Sequence, residues 1–127
     1  MNKKFIILIA EDDLVSFELY KIRLQNMDLD IIHAPNGKIA VDKVKENPDI
    51  DLILMDIRMP VLDGYEATKQ IREINSEIPI VAQTAFAIIP EHQKFLELGF
   101  TDFYAKPLSD NLLDQIIQKY KVKPYEY

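Results

Sequence analysis

Short apolar runs of strand length alternate with helix-length segments five times along this chain of 127 residues, and no other feature constrains its fold as strongly. The runs at residues 5–10 and 52–55 are continuously apolar rather than alternating, which predicts strands that are covered on both faces. Such strands are typical of a parallel sheet enclosed by helices. The other runs are shorter and fall at residues 31–32, 80–82 and 103–105.

Helix-period segments fill the intervals between these runs and follow the last one. The fourth segment begins near Pro90, which suits a first helical turn, and stops at Gly99, which suits a left-handed residue. A last helix is capped by Ser109 and Asp110 and carries apolar residues as far as Tyr120. The earlier predicted helices cover residues 14–27, 38–46, 64–74 and 90–98.

The first predicted helix is apolar on two sides. Since both stripes have helical spacing, the sequence leaves open which of them is buried against the sheet. One stripe is formed by Val15, Leu19 and Ile22, and the other by Phe17, Tyr20, Leu24 and Met27.

Five consecutive strand–helix units predict an α/β fold with a doubly wound, five-stranded parallel sheet. The length suits a single domain over residues 1–127, with a folded core at about residues 4–120. No internal linker, sequence repeat or low-complexity stretch interrupts the pattern.

The composition excludes several classes of function. A chain without cysteine has no disulfides, thiol nucleophile or cysteine-ligated metal. A net charge of −6 argues against direct binding of nucleic acid, which needs a basic face. The glycines at positions 37, 64 and 99 form no nucleotide-binding loop. No apolar run is long enough to cross a bilayer and the first residues lack a signal-peptide pattern, so we expect a cytoplasmic protein.

Charged and hydroxyl side chains stand where the predicted strands end. Glu11 and Asp12 follow the first strand, Asp56 ends the third, Thr84 follows the fourth and Lys106 follows the fifth. Because the carboxyl ends of parallel strands meet at one edge of a sheet, we expect these side chains to converge there. Each has an ordinary structural explanation when taken alone, but an unpaired carboxylate is costly at the end of a strand as apolar as the third.

Clustered carboxylates repel one another and therefore need a cation. Oxygen ligands without histidine or cysteine suit Mg²⁺, which binds one or two carboxylates together with water and phosphate oxygens. One carboxylate held in this way can act as a nucleophile and form an acyl phosphate, while lysine and threonine contact phosphoryl oxygens. The strand ends therefore predict Mg²⁺-assisted phosphoryl transfer.

Four segments resemble, in order, those of response-regulator receiver domains of two-component signalling, in the form found in hybrid histidine kinases. The resemblance runs from about residue 4 to residue 120 and implies a flavodoxin-like (βα)5 fold with strand order 2-1-3-4-5. The segments are ILIAEDD at residues 7–13, MDIRMPVLDG at 55–64, VAQTA at 81–85 and FYAKP at 103–107.

The resemblance implies a role for each acidic residue at the strand ends. Asp56 would accept the phosphoryl group. Asp12 would ligate Mg²⁺ directly, Glu11 would act largely through water, and the backbone carbonyl of Arg58 would be a further ligand. The chain would then catalyse its own aspartyl phosphorylation and dephosphorylation without being a turnover enzyme by itself.

The resemblance also implies a switch. Thr84 and Lys106 would contact the phosphoryl group, and Phe103 would turn inward as Thr84 moves toward it. Arg58 and Phe86 occupy positions that modulate access of water to the acyl phosphate, and both are bulky. We predict slow self-dephosphorylation, which the substitution Phe86→Ala should speed.

The implied partner is a histidine kinase or a histidine phosphotransfer domain that docks near the first helix. The partner supplies the phosphodonor histidine, since His33 and His92 have no catalytic pattern and are interpreted as surface or structural residues. We assign Asp13 to helix capping or to the rim of the site rather than to metal binding. The chain is either a stand-alone regulator or part of a hybrid sensor kinase, and the sequence leaves its oligomeric state open.

Three other functional classes fit the sequence less well than a phosphoaccepting receiver domain. A phosphorylation-independent docking module with a receiver-like fold would have lost one of Asp12, Asp56, Thr84 or Lys106, and all four are present. A flavodoxin-like cofactor binder needs a glycine-rich phosphate loop where this chain has three consecutive acids. A phosphohydrolase with an aspartate nucleophile needs a second acid where this chain has Arg58.

Overall fold

A computed structural model of the chain describes residues 4–85 and 92–121, and within them five strands alternate with five helices. The strands are β1 (Phe5–Ala10), β2 (Leu29–Ala34), β3 (Leu52–Asp56), β4 (Ile80–Thr84) and β5 (Asp102–Ala105). The helices are α1 (Leu14–Leu24), α2 (Gly37–Glu46), α3 (Gly64–Ile74), α4 (His92–Glu97) and α5 (Asp110–Lys121).

The strands form one parallel sheet in the order β2-β1-β3-β4-β5, which confirms the predicted fold class and strand order. Every residue of β3 is buried, as are the last four residues of β1. These are the two continuously apolar runs, and they are buried because helices cover both faces of the sheet. The edge strands β2 and β5 are more exposed.

Alternation along the central strands builds two cores, one on each face of the sheet. On one face Ile53 and Met55 pack with α2, α3 and α4, and we call this cluster the α2/α3 core. On the other face Leu52 and Leu54 pack with α1 and α5, and we call it the α1/α5 core. Each wholly buried Leu or Ile stabilises the fold by roughly 1.5–3 kcal/mol relative to an exposed one.

The structure decides which stripe of α1 is buried. Phe17, Tyr20 and Leu24 face the α1/α5 core, and Met27, beyond the helix, packs against the same cluster. The other stripe lies in solvent, since its aliphatic side chains are more than half exposed. Val15 is 68%, Leu19 62% and Ile22 58% exposed, and Leu14, which precedes the stripe at the start of α1, is 66% exposed.

The largest differences from the predicted boundaries are those of α1 and β2. Helix α1 ends at Leu24 rather than at residue 27, because a turn closed by the N–H of Met27 on the carbonyl of Leu24 leads directly into β2. Strand β2 spans six residues rather than two, because it pairs with β1 along its whole length. Pairing with a neighbour extended this strand beyond its apolar residues.

Side-chain caps begin four of the helices. The carboxylates of Asp13 and Asp63, the amide oxygen of Asn36 and the predicted capping hydroxyl of Ser109 each accept a hydrogen bond from the backbone N–H three residues later. A cap of this kind stabilises a helix by about 1 kcal/mol, and the capping role assigned to Asp13 is confirmed. Gly99 has a φ of 106° after α4, as predicted for a left-handed stop, whereas Pro90 lies outside the described residues.

In the part of the chain that the structure describes, we find no helix with the length and apolar character that crossing a bilayer requires.

Candidate phosphoryl-transfer site

Glu11, Asp12 and Asp56 come together at the carboxyl edge of the sheet. Strands β1 and β3 are neighbours, with Ala10 paired to Met55, so the residues that follow each of these two meet side by side. One carboxylate oxygen from each acid lies within 4.8 Å of the other two. Glu11 and Asp56 are buried and Asp12 is exposed, so the cluster opens to solvent on the side of Asp12.

Lys106 contacts two of the three acids. Its Nζ lies 2.6 Å from Oε1 of Glu11 and 3.2 Å from Oδ2 of Asp56. The backbone N–H of Lys106 also donates to the carbonyl of Thr84 at 2.7 Å, which ties the loop after β5 to the end of β4. The sheet therefore places a cation from β5 against carboxylates from β1 and β3.

The acids of the cluster and Lys106 change one another's ionisation. The pKa of Glu11 is raised to about 7, because burial and the charge of Asp56 raise it more than the hydrogen bond from Lys106 lowers it. Burial alone would lower the pKa of Lys106, but the hydrogen bond to Glu11 and the charge of Asp56 raise it above its ordinary value. Lys106 is consequently cationic, and the site carries more negative than positive charge.

The donor set fits Mg²⁺. Three carboxylates within reach of one ion, with no histidine or cysteine among them, are the hard oxygen ligands that Mg²⁺ prefers. A cavity of about 510 Å³ adjoins the cluster and leaves room for the waters that Mg²⁺ retains. The cavity is lined by Asp12, Ile57, Arg58, Met59, Asp63 and Tyr65.

The loop between β3 and α3 is held against the phosphoacceptor candidate. The N–H of Gly64 donates to the carbonyl of Ile57 at 2.8 Å, and a Cβ on Gly64 would overlap the carbonyl oxygen of Asp56. Only glycine permits this close approach. Within the same loop the N–H of Leu62 donates to the carbonyl of Pro60 at 2.7 Å, and Val61 between them has a φ of 72°.

The remaining predicted site residues lie on β4 and β5. Thr84 is buried at the end of β4, next to the backbone contact with Lys106. Phe103 on β5 is partly buried, and its ring stacks on Phe95 of α4 with the centroids 4.6 Å apart. Phe86 lies outside the described residues, so its predicted effect on dephosphorylation stays a prediction.

His33 on β2 contacts the backbone next to the acidic cluster. Its ring stacks on Phe17 of α1 with the centroids 3.7 Å apart, and its Nε2 lies 2.9 Å from the backbone carbonyl of Glu11. This agrees with the structural interpretation of His33 and adds a contact to Glu11 that the sequence could not reveal. The side chain of His92 lies outside the described residues.

Known proteins similar to this chain agree with the resemblance to receiver domains. Residues 7–118 match the family model described as response regulator receiver domain. The chain is 42% identical over 119 residues to hybrid signal transduction histidine kinase I of Dictyostelium discoideum. This match covers 87% of the chain but only 7% of the kinase.

Two solved structures are similar over nearly the whole chain. One is the receiver domain of the response regulator Ssk1 of Saccharomyces cerevisiae, in a co-crystal with the histidine phosphotransfer protein Ypd1. It has a TM-score of 0.85, 31% identity, and coverage of 92% of this chain and 88% of that one. The other is the receiver domain of the sensor histidine kinase PA1611 of Pseudomonas aeruginosa PAO1, with a magnesium ion in its active site cleft. Its TM-score is 0.82 and its identity 32%, and the match covers 93% of this chain and 98% of that one.

Proposed function

Because the chain belongs to the response regulator receiver domain family of two-component signalling, we propose that it accepts a phosphoryl group on the carboxylate of Asp56. The observation that carries this assignment is the position of Asp56. It ends the fully buried central strand and lies 3.2 Å from the ammonium of Lys106, inside a cluster of three acids. A buried carboxylate held by a cation at the edge of an open cavity is a suitable nucleophile.

In the proposed reaction an oxygen of Asp56 attacks phosphorus and a P–O bond forms. The P–N bond of a partner's phosphohistidine breaks, and the imidazole leaves and takes up a proton. Mg²⁺, when bound, neutralises the negative charge of the carboxylates and of the transferring phosphoryl oxygens. Asp12, Asp56 and the carbonyl of Arg58 would hold it directly, and Glu11 would hold it largely through water.

Lys106 and Thr84 are the proposed contacts of the transferred group. Lys106 can exchange its contact with the Asp56 carboxylate for one with a phosphoryl oxygen, without a large movement of its chain. The hydroxyl of Thr84 can donate to a second phosphoryl oxygen. Because Phe103 stacks on Phe95, a movement of Thr84 and Phe103 would be transmitted to α4, which makes this side of the molecule the proposed switch surface.

We place the docking site of the phosphodonor on the exposed stripe of α1. This stripe of aliphatic side chains begins three residues after Asp12 and therefore borders the acidic cluster. A groove of about 710 Å³ runs between α1 and the start of α5 and is lined by Leu19, Ile22 and Lys106, among others. The solved complex of the Ssk1 receiver with Ypd1 supports a partner of the histidine phosphotransfer class.

The wider setting of the domain is part of the proposal. We propose that residues 1–127 form a single receiver domain, acting in the cytoplasm either as a stand-alone regulator or within a hybrid histidine kinase. Its acidic character speaks against a nucleic-acid partner.

The proposed function is tested by incubating the chain with acetyl phosphate, with and without Mg²⁺, and measuring intact mass. A phosphoryl adduct should form only with Mg²⁺, and the substitution Asp56→Asn should abolish it. Asp28→Asn is the matched control, because Asp28 is exposed in the turn between α1 and β2. Labelling that persists in Asp56→Asn would disprove the assignment of the phosphoacceptor, and absence of labelling in the wild type would favour the docking module.

A further inference from the structure

A buried polar pair lies behind the acidic cluster, inside a core that is otherwise apolar. The hydroxyl of Tyr20 on α1 donates to Oε1 of Gln83 on β4 at 2.5 Å. Gln83 has no exposed surface, and Tyr20 is almost as deeply buried in the α1/α5 core. Burial raises the pKa of Tyr20 to about 12, so its hydroxyl keeps its proton and remains a donor at neutral pH.

Packing gives no reason for this pair. Within the described residues the amide nitrogen of Gln83 is buried without a hydrogen-bond partner, which costs about 1–3 kcal/mol. Replacing both side chains with apolar ones of similar shape would remove this cost, because no polar group would then be left in the core. The pair therefore lowers the stability of the fold, and a purely structural role would not require two polar side chains here.

The backbone of Gln83 is in direct contact with the site. Gln83 pairs with Asp56 in the ladder between β3 and β4, and its carbonyl accepts the N–H of Ile57 at 3.2 Å. The next residue is Thr84, whose carbonyl accepts the N–H of Lys106 at 2.7 Å. A displacement of Gln83 would thus shift the phosphoacceptor, the lysine and the threonine relative to one another.

Tyr20 connects this strand end to the helix that carries the exposed apolar stripe. It follows Leu19 of the stripe, and with Lys106 it lines the groove between α1 and the start of α5. The hydroxyl of Tyr20 is also close enough to Lys106, Glu11 and Asp56 to experience the charge of all three. The Tyr20–Gln83 hydrogen bond is thus a direct link between α1 and the end of β4.

We propose that Tyr20 is a positioning residue for phosphoryl transfer: through Gln83 it holds the carboxyl end of β4 in the position that lets Thr84 and Lys106 meet the phosphoryl group on Asp56. In this role Tyr20 contacts neither the phosphoryl group nor the metal. The inference rests on the proposed function, because it assigns Tyr20 a part in that same reaction.

The test separates stability from rate by comparing Tyr20→Phe with the double variant Tyr20→Phe/Gln83→Leu. Two quantities are measured for each variant: the free energy of unfolding in urea by circular dichroism, and the rate constant of labelling by acetyl phosphate at saturating Mg²⁺. Tyr120→Phe is the matched control, because Tyr120 packs against the same core near the C-terminal end of α5, remote from the acidic cluster.

We expect Tyr20→Phe to lose stability and the double variant to regain it, since the double variant leaves no unpaired amide. The labelling rate of both should stay roughly tenfold below wild type, because small displacements of reacting groups are costly. A double variant that labels at the wild-type rate would overturn the inference.

If the double variant does not fold, Gln83→Leu alone decides. A rate roughly tenfold below wild type would support the inference, and a wild-type rate would overturn it. Failure of the proposed function would be recognised separately, as a wild-type chain that is not labelled or an Asp56→Asn variant that is.

Discussion

The two edges of the sheet use polar side chains in opposite ways. At the amino edge they satisfy the backbone: the guanidinium of Arg72 donates to the carbonyls of Ile78 and Gly99 at 2.7 and 2.8 Å. Asp51 similarly accepts the N–H of Ile6 at 2.8 Å. At the carboxyl edge three acids lie together and one lysine contacts two of them, so like charges are held close against their repulsion.

This difference separates groups that serve the fold from groups that serve chemistry. A buried polar group with a full set of partners stabilises a protein, whereas a cluster of like charges in a buried site lowers stability until a cation binds. Substitutions at the amino edge should therefore change stability and leave labelling intact. Substitutions at the carboxyl edge should change the rate of labelling, whatever they do to stability.

The largest effect should follow removal of the cation at the carboxyl edge. In Lys106→Met, the phosphoryl group has no ammonium to contact, and the rate of labelling by acetyl phosphate should fall about a hundredfold. Intact mass over time measures it. Lys119→Met is the control, since Lys119 is an exposed lysine in the last turn of α5, and it should label at the wild-type rate. Equal labelling rates in Lys106→Met and Lys119→Met would show that Lys106 does not contact the phosphoryl group.

The amino edge should respond in the opposite way to the loss of Arg72. The substitution Arg72→Met leaves the carbonyls of Asn75, Ile78 and Gly99 without their donor, and the free energy of unfolding should fall by about 3 kcal/mol. Urea unfolding measures this loss. Under conditions where the variant is folded, its labelling rate should match that of the wild type. A slower rate would show that the amino edge also affects phosphoryl transfer.

At the carboxyl edge, the affinity for Mg²⁺ should depend on pH. Burial raises the pKa of Glu11 from 4.5 to about 7, so a proton competes with the cation below neutral pH. In the apo protein this group contributes stability that is present below pH 4.5 and lost as the pH rises through about 7.

Binding of Mg²⁺ should therefore be roughly tenfold weaker at pH 6 than at pH 8. Isothermal titration calorimetry at the two pH values measures this ratio. The variant Glu11→Gln should bind Mg²⁺ more weakly and lose this pH step, and an unchanged step would assign it to another group.

The smallest effect should come from the loop between β3 and α3. Val61 is a β-branched residue with a φ of 72°, and a non-glycine residue pays about 1–2 kcal/mol in this region. Since glycine also loses more entropy on folding, Val61→Gly should stabilise the protein by only about 0.5 kcal/mol. Thermal unfolding measures this gain, and the control Val15→Gly should lose stability, because glycine weakens α1.

Much of the fold was predictable because its signals are local. The continuous apolar runs of β1 and β3 reveal two-sided burial, and the residues that end the strands could be read from the sequence once a parallel sheet was inferred. Helix starts at Asp13 and Ser109 follow from capping chemistry, which depends on residues three positions apart.

What could not be predicted depends on contacts between distant segments. The length of β2 is decided by pairing with β1, and the end of α1 by the turn that leads into that pair. The hydrogen bond between Tyr20 and Gln83 joins residues 63 positions apart, and the only local sign of it was a glutamine inside an apolar strand.

The amino-acid sequence alone determined the order of strands and helices, the chemistry of the residues at the strand ends and the resemblance to receiver domains, because periodicity and motifs are properties of neighbouring residues. Only the tertiary structure decided which stripe of α1 is buried, because both stripes have the same spacing and the choice depends on what the sheet presents to them. It also decided that Lys106 contacts Glu11 more closely than Asp56, since that arrangement depends on the packing of β5 against the sheet.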